Sequence, residues 1–359
     1  MQLTRNISRY FYQHVAKPLF FSRDAEDVHN MMTAVGKILG SNPVTQAATA
    51  ALFRYQDKRL SRIIDGITFA NPIGLSAGFD YNAELTQILP AVGFGFQTVG
   101  TVTLHPYEGN IPPRLGRFPR SQALLVNKGF KSLGAAAVIQ KLEKLHFAIP
   151  IGISIGSTNT TFPSIAAQVN DITATFELFE KSKVQHSYYE LNISCPNTHA
   201  GQPFTDVKNL KQLLAAVDAL HLSKPAYVKM PIDLGEAATL KLLHRIDDSS
   251  MNGVIFGNLT KDKQNPAVDP HDRVLWQKKK GNLSGKPTWE RSNALIRLTK
   301  KQFGHRFTII GTGGVFSGAD ALEKMHCGAD LVQLITGMIY QGPQLIGDIN
   351  AYLARHDTP

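Results

Sequence analysis

The chain has 359 residues, 43% hydrophobic and 18% charged, which supplies a large core and excludes a disordered protein. Its 38 Lys and Arg against 28 Asp and Glu give a formal charge of +10, a balance that favours anionic partners. The basic residues are scattered, however, and the dense run Lys278, Lys279 and Lys280 beside Gly281 reads as a solvated loop, so no nucleic-acid partner is expected. Two cysteines, Cys195 and Cys327, exclude a disulfide framework and sit in no metal-type Cys/His spacing, which favours a reducing compartment.

Residues 1–65 read as a small helical segment. Tyr10, Phe11, Val15, Leu19, Phe20 and Phe21 form an apolar cluster with basic neighbours. Arg5, Arg9, Gln13 and Lys17 interrupt it too often for a secretory signal, and no run approaches the ~18 apolar residues that span a bilayer. Val28, Met31, Met32, Val35, Ile38 and Leu39 then form a helical stripe, with Ser22 or Asp24 available as its cap. Such stripes either pack on the rest of the protein or dip into a membrane interface.

From about residue 70 to the end, apolar β-type runs alternate with helical stretches. The runs are Pro72–Ala77, Phe96–Thr101, Ile151–Ile155, Tyr188–Ile193, Ala226–Met230, Gly253–Phe256, Phe307–Ile310 and Asp330–Ile335. Most lack period-2 alternation, as parallel strands covered on both faces do. Helical candidates such as Leu133–Leu145 and Leu210–Leu220 lie between them. Eight βα units predict an α/β fold, a closed (β/α)8 TIM barrel over 66–359 with its chemistry at the C-terminal strand ends. An open doubly wound sheet is the alternative, weakened by the lack of G-x-G-x-x-G after the first strand.

The strand ends concentrate Gly, Asn, Ser, Thr and Lys. After the fourth strand, Asn192-Ile193-Ser194-Cys195-Pro196-Asn197-Thr198 sets a thiol between amides that can read a planar heterocycle. A lone cysteine most often packs as a small hydrophobe, but this one stands in a polar loop. Gly311-Thr312-Gly313-Gly314 and Thr336-Gly337 end the seventh and eighth strands, where such barrels often hold phosphate; glycine turns also arise merely to permit positive φ. Lys229 ends the fifth strand in the barrel mouth, where an unpaired cation calls for an anionic partner such as a reduced flavin. Asn258, ending the sixth, is either another amide in the site or a turn residue.

An ordered set of motifs runs through the chain. It comprises Asn71-Pro72-Ile73-Gly74-Leu75-Ser76-Ala77-Gly78-Phe79-Asp80, Gly93-Phe94-Gly95-Phe96, Gly100-Thr101-Val102-Thr103, and Pro113-Arg114 followed by Arg117. Asn127, Asn192–Thr198, Leu283-Ser284-Gly285-Lys286-Pro287 and Ile310–Gly314 complete it. In this set, over nearly its whole length, the chain resembles a dihydroorotate dehydrogenase of the class 2, quinone-dependent, membrane-associated type. The resemblance implies FMN-dependent oxidation of (S)-dihydroorotate to orotate in pyrimidine biosynthesis, with electrons passed to a quinone. FMN would meet Ala77, Gly78, Thr101, Asn127, Ser154, Asn192, Lys229, Gly257, Ser284, Gly285, Gly313, Gly314, Thr336 and Gly337. Substrate would meet Tyr81, Asn127, Phe130, Asn192, Asn197 and Asn258. Cys195 would take the C5 proton while a hydride leaves C6 for the flavin, and Lys229 would balance the reduced flavin's charge. Residues 1–65 would form a hydrophobic quinone tunnel lined by His29 and Arg117. The protein would then be peripheral at the cytoplasmic face of the inner membrane, or else soluble in the cytoplasm.

Several positions depart from the class 2 pattern. Cys195 replaces the usual Ser base, as in class 1 enzymes. Tyr81 replaces the Lys that reaches substrate and flavin, Ser154 replaces an Asn, Leu259 replaces a Thr or Ser, and the loop after Asn127 is one residue shorter. Losing a cation beside a carboxylate costs roughly 1.5–3 kcal/mol, which Lys131, in place of an Asn, could restore. A flavoenzyme for another dihydropyrimidine and a non-catalytic flavin-binding paralogue are the competing readings. For Cys195 the expected ionisation lies at roughly 6.5–8.5, with Lys229 pulling it down and burial pushing it up.

Overall fold

Pro18 has no N–H to give the helical ladder, and in the computed structural model, which describes residues 2–356, the first helix widens just before it. Helix α1 (Gln2–Phe11) passes through a π-helical turn at Tyr12–Ala16 into α2 (Lys17–Phe21). The Asp24 carboxylate accepts the N–H groups of Glu26 and Asp27 at 2.8 and 3.1 Å, so Asp24, not Ser22, caps α3 (Ala25–Gly40). Helix α4 (Pro43–Phe53) follows, capped by Asn42.

These helices turn part of their polar surface inward. Arg5 is buried and pairs with Asp348 at 3.0 Å, the Tyr12 hydroxyl donates to the Ile339 carbonyl at 2.6 Å, and the Gln13 amide donates to the Tyr340 carbonyl at 3.0 Å. Leu3, Ile7, Tyr10, Phe11, Val15 and Leu19 are left exposed, as are Met32, Val35 and Ile38 of the α3 stripe. Much of the apolar stripe is therefore not used in packing against the barrel.

A hairpin of β1 (Arg62–Ile64) and β2 (Ile67–Phe69) precedes the barrel. Its turn residues Asp65 and Gly66 have φ of 49° and 76°, the positive values a two-residue hairpin loop requires, and the boundary expected at 65/66 falls inside it. Phe69, with Ile64 and Ile67, packs on Phe96, Tyr188 and Tyr227 to plug the N-terminal end of the barrel.

All eight expected runs become barrel strands. They are β3 (Ile73–Leu75), β4 (Phe96–Val102), β7 (Ile151–Ile155), β8 (Tyr188–Asn192), β9 (Ala226–Lys229), β10 (Gly253–Phe256), β12 (Thr308–Thr312) and β13 (Leu331–Leu334). They pair in parallel and close in the order β10-β12-β13-β3-β4-β7-β8-β9. The expected helices form at Ala135–Leu142 and Val207–Asp218. Three short strands not read from the sequence, β5 (Leu115–Phe118), β6 (Ala123–Val126) and β11 (Asn282–Gly285), make a separate antiparallel sheet.

The barrel interior is layered. Above the aromatic plug, the Glu190 carboxylate accepts from the Thr98 hydroxyl at 2.5 Å and from the Gln333 amide at 2.7 Å. The strand ends above this polar layer carry the candidate site.

Candidate active site

Strand register puts Asn192, the last residue of β8, beside Lys229, the last of β9. Lys229 is 3% exposed and donates to the Ser76 hydroxyl at 3.0 Å. Burial lowers its pKa, while Glu190 and Cys195 act the other way. The Asn192 amide donates to the Thr101 hydroxyl at 2.9 Å, and that hydroxyl shares a 2.9 Å hydrogen bond with Ser154. Asn192 Oδ1 also accepts from the Ser194 hydroxyl at 3.0 Å, and Ser194 Oγ in turn accepts from the Asn258 amide at 2.7 Å. Thr101, Asn192, Ser194 and Asn258 thus form one polar chain across the barrel mouth.

Cys195 follows on this loop. Burial pushes its thiol up to about 11, against smaller downward effects of the Asn197 N–H and the Lys229 charge. The ionisation expected at roughly 6.5–8.5 is therefore corrected: desolvation outweighs the lysine. The Asn197 amide donates to the Val126 carbonyl at 3.0 Å, and its Oδ1 accepts from Asn282 at 2.7 Å, tying the loop to the three-stranded sheet.

A cavity of about 300 Å³ lies over these groups. Its wall carries Cys195, Lys229, Ala77, Gly78, Thr101, Asn192, Gly257, Ser284, Gly285, Gly313, Gly314, Thr336 and Gly337, with Tyr81, Phe130, Asn197 and Asn258. His29 and Arg117 share it with Tyr12, Phe20, Phe21, Val28 and Met32 of the N-terminal segment, which gives the wall its apolar stretch. Two expected contacts stand back from the wall. Ser154 lies behind Thr101, and Asn127 uses its Oδ1 to accept from Asn110 at 3.1 Å. Ser76, Phe79, Lys128 and Thr312 line the cavity without having been singled out. Ser76 and Phe79 stood inside a quoted motif beside Ala77 and Gly78, so their neighbours were the signal.

FMN fits this wall on two observations. A Cβ at Gly78, whose φ is 104°, would project into open space, so the backbone there is bare towards the cavity. Lys229 is a buried cation bonded to a neutral hydroxyl, a state that an anionic ligand relieves. Other glycines have internal reasons: a Cβ at Gly337 would strike the Val315 carbonyl, and one at Gly285 the Gln122 carbonyl. Ser284 and Thr336 share a 2.8 Å hydrogen bond on the same wall.

The N-terminal side is neutral at the histidine and cationic around it. The His29 ring stacks edge-on to Phe79, with centroids 4.8 Å apart, and lies 5.5 Å from Tyr81. Burial, then the Lys128 and Lys131 charges, lower its pKa to about 4 despite Glu26, so the imidazole is uncharged at neutral pH. Arg117 lies 4.8 Å over the Phe21 ring and donates to the Arg23 carbonyl at 2.8 Å.

A model of the dihydroorotate dehydrogenase family matches residues 59–356. Among curated proteins, the dihydroorotate dehydrogenase (quinone) of Chloroflexus aurantiacus is 34% identical, covering 96% of this chain and 97% of that one. Those of Christiangramia forsetii and Gloeobacter violaceus are 35% and 36% identical, covering 94% and 95% of this chain and 97% and 93% of their own. Among solved structures, a dihydroorotate dehydrogenase from Eimeria tenella in complex with ferulenol superposes with a TM-score of 0.80 at 26% identity, over 93% of this chain and 92% of that one.

Proposed function

The chain belongs to the dihydroorotate dehydrogenase family, and from that premise we propose that it oxidises dihydroorotate to orotate on FMN and passes the electrons to a quinone. The observation that carries the reading is a single cavity joining the buried Lys229, the Cys195 loop and the apolar wall of the N-terminal helices.

FMN would be held by Ala77, Gly78, Lys229, Ser284, Gly313, Gly314, Thr336 and Gly337, and when bound it supplies the acceptor for the hydride from substrate C6. The remaining work falls to the chain. Asn192 and Asn258, fixed by Thr101 and Ser194, orient the pyrimidine ring through its amide edges. Cys195 Sγ, as thiolate, takes the C5 proton, so one proton and one hydride leave together as the ring double bond forms. Lys229, already desolvated, places its charge where negative charge accumulates. Phe130 and the apolar wall exclude water.

Quinone enters between Phe20, Phe21, Val28 and Met32, past the neutral His29 and the Arg117 guanidinium. No helix among the described residues is long and apolar enough to cross a membrane. The exposed Leu3, Ile7, Tyr10, Phe11, Val15 and Leu19 instead suit a peripheral contact, at the cytoplasmic face of the inner membrane.

The test is anaerobic mixing of the purified yellow protein with dihydroorotate, followed by a short-chain quinone. Bleaching by the first and recovery by the second are expected; a flavin that dihydroorotate leaves oxidised sinks the reading. Tyr81 and Leu259 favour one alternative, a dihydropyrimidine without the carboxylate, and faster bleaching by dihydrouracil would select it.

A further inference from the structure

Tyr81 stands where the family's substrate-contacting lysine is expected, so a desolvated carboxylate in this cavity needs its cation from elsewhere. Among the described residues four cations line the wall, Arg117, Lys128, Lys131 and Lys229; of these, Lys229 is bonded to Ser76 at the end of β9, and Arg117 lies over Phe21 and bonds the Arg23 carbonyl. Lys128 differs from both. It is 4% exposed, its ammonium lies 5.1 Å from the centre of the Tyr81 ring, and it already binds a carboxylate, Glu26 Oε1, at 2.7 Å.

Glu26 comes from α3, and Arg114 reaches the same oxygen at 3.1 Å. The carboxylate would therefore keep a partner if Lys128 turned away. Three cations, Lys128, Arg114 and Lys131, act on this single carboxylate, which leaves the cluster with surplus positive charge that a monoanion would offset. The same field reaches His29.

We propose that Lys128 supplies the cation for the substrate's carboxylate in place of the residue lost at Tyr81, and that Glu26 occupies it until substrate arrives. This rests on the dihydroorotate reading above. The role goes to Lys128 rather than to Lys131, which is more exposed. Because Glu26 sits on the quinone-tunnel helix, substrate binding releases one of the two cations that bind Glu26 from the barrel loops.

The test titrates the FMN-loaded protein anaerobically with orotate and with uracil, the related ring without a carboxylate, following the flavin spectrum. Lys128→Met is expected to weaken orotate at least about tenfold, the scale of one charged hydrogen bond, with uracil within about twofold and Lys128→Arg retaining most of the orotate affinity. Glu26→Gln, which removes the competitor, is expected to tighten orotate. Equal losses of orotate and uracil in Lys128→Met, unchanged orotate affinity in it, or weaker orotate in Glu26→Gln would each overturn the proposal in favour of a latch for the helix. If Lys128→Met does not fold, Glu26→Gln decides. A wild-type protein that dihydroorotate reduces, with normal orotate binding in Lys128→Met, defeats this inference alone; a wild type that neither binds orotate nor is reduced defeats the underlying function.

Discussion

The Lys229 ammonium lies 3.0 Å from the Ser76 hydroxyl in the mouth of the barrel, joining the ends of β9 and β3. A hydroxyl only solvates a cation, whereas an anionic ligand neutralises it, so the buried charge is held ready for something that arrives negative or becomes so. Replacing Lys229 with Met removes that charge while nearly keeping the volume. FMN content should fall or flavin reduction should slow by at least about tenfold, the scale of one charged hydrogen bond, as read by the flavin-to-protein absorbance ratio and stopped-flow bleaching. Normal loading with wild-type reduction would dismiss the role.

Cys195 makes the reductive half-reaction sensitive to alkali. With its thiol pushed up to about 11 by burial, the thiolate fraction grows about tenfold per pH unit below that value. The reduction rate constant divided by the substrate's Kd, which reports the free enzyme, should climb from pH 7 to 9 without levelling. A plateau near pH 7.5 would mean that another group is the base. Cys195→Ala should keep FMN and lose about a hundredfold or more in reduction, with Cys195→Ser in between.

Val28 is buried on α3 and lines the apolar wall, so a larger side chain there narrows the path from the N-terminal helices. Val28→Trp should cut reoxidation by a short-chain quinone about tenfold or more while dihydroorotate still bleaches the flavin at the wild-type rate. Equal slowing of both half-reactions would place the quinone in the substrate's part of the cavity.

The barrel was legible because its strands are short, mostly apolar runs between breakers, a pattern that survives without knowledge of partners even where Thr98, Glu190 or Gln333 interrupts it. The β1–β2 hairpin was missed although Asp65-Gly66 between Ile-rich stretches is itself a turn signal. Strands β5, β6 and β11 could not be read: they lie in the connections between barrel strands, and Asn282–Gly285 has a loop's composition until Ala123–Val126 pairs with it. Arg5 reads as a surface residue and is buried because its acid, Asp348, stands 343 positions away. The choice between Lys128 and Lys131 depends on a loop in which Gly129 and Phe130 have φ of 68° and 65°, and neighbouring side chains in such a turn diverge in ways that no periodicity encodes.

Lys324 offers a prediction about stability rather than turnover. It is fully buried in the helix Gly318–His326, donating to Ser292 Oγ at 3.0 Å and Asn293 Oδ1 at 2.7 Å rather than to a carboxylate. Burial lowers its pKa from 10.5 to about 7. Between those two values the unfolded chain holds a proton that the folded chain has shed, so this group makes stability rise with pH across that window, and below pH 7 its full desolvation cost opposes folding. Lys324→Met abolishes the titration but also gives up the bond to Asn293. The denaturant midpoint of the wild type should therefore gain on that of Lys324→Met as pH rises from 7 to 9.5. Comparing the two proteins at each pH cancels the other titrating groups, and a constant difference across that range would mean that the lysine is neutral, or charged, in both states throughout.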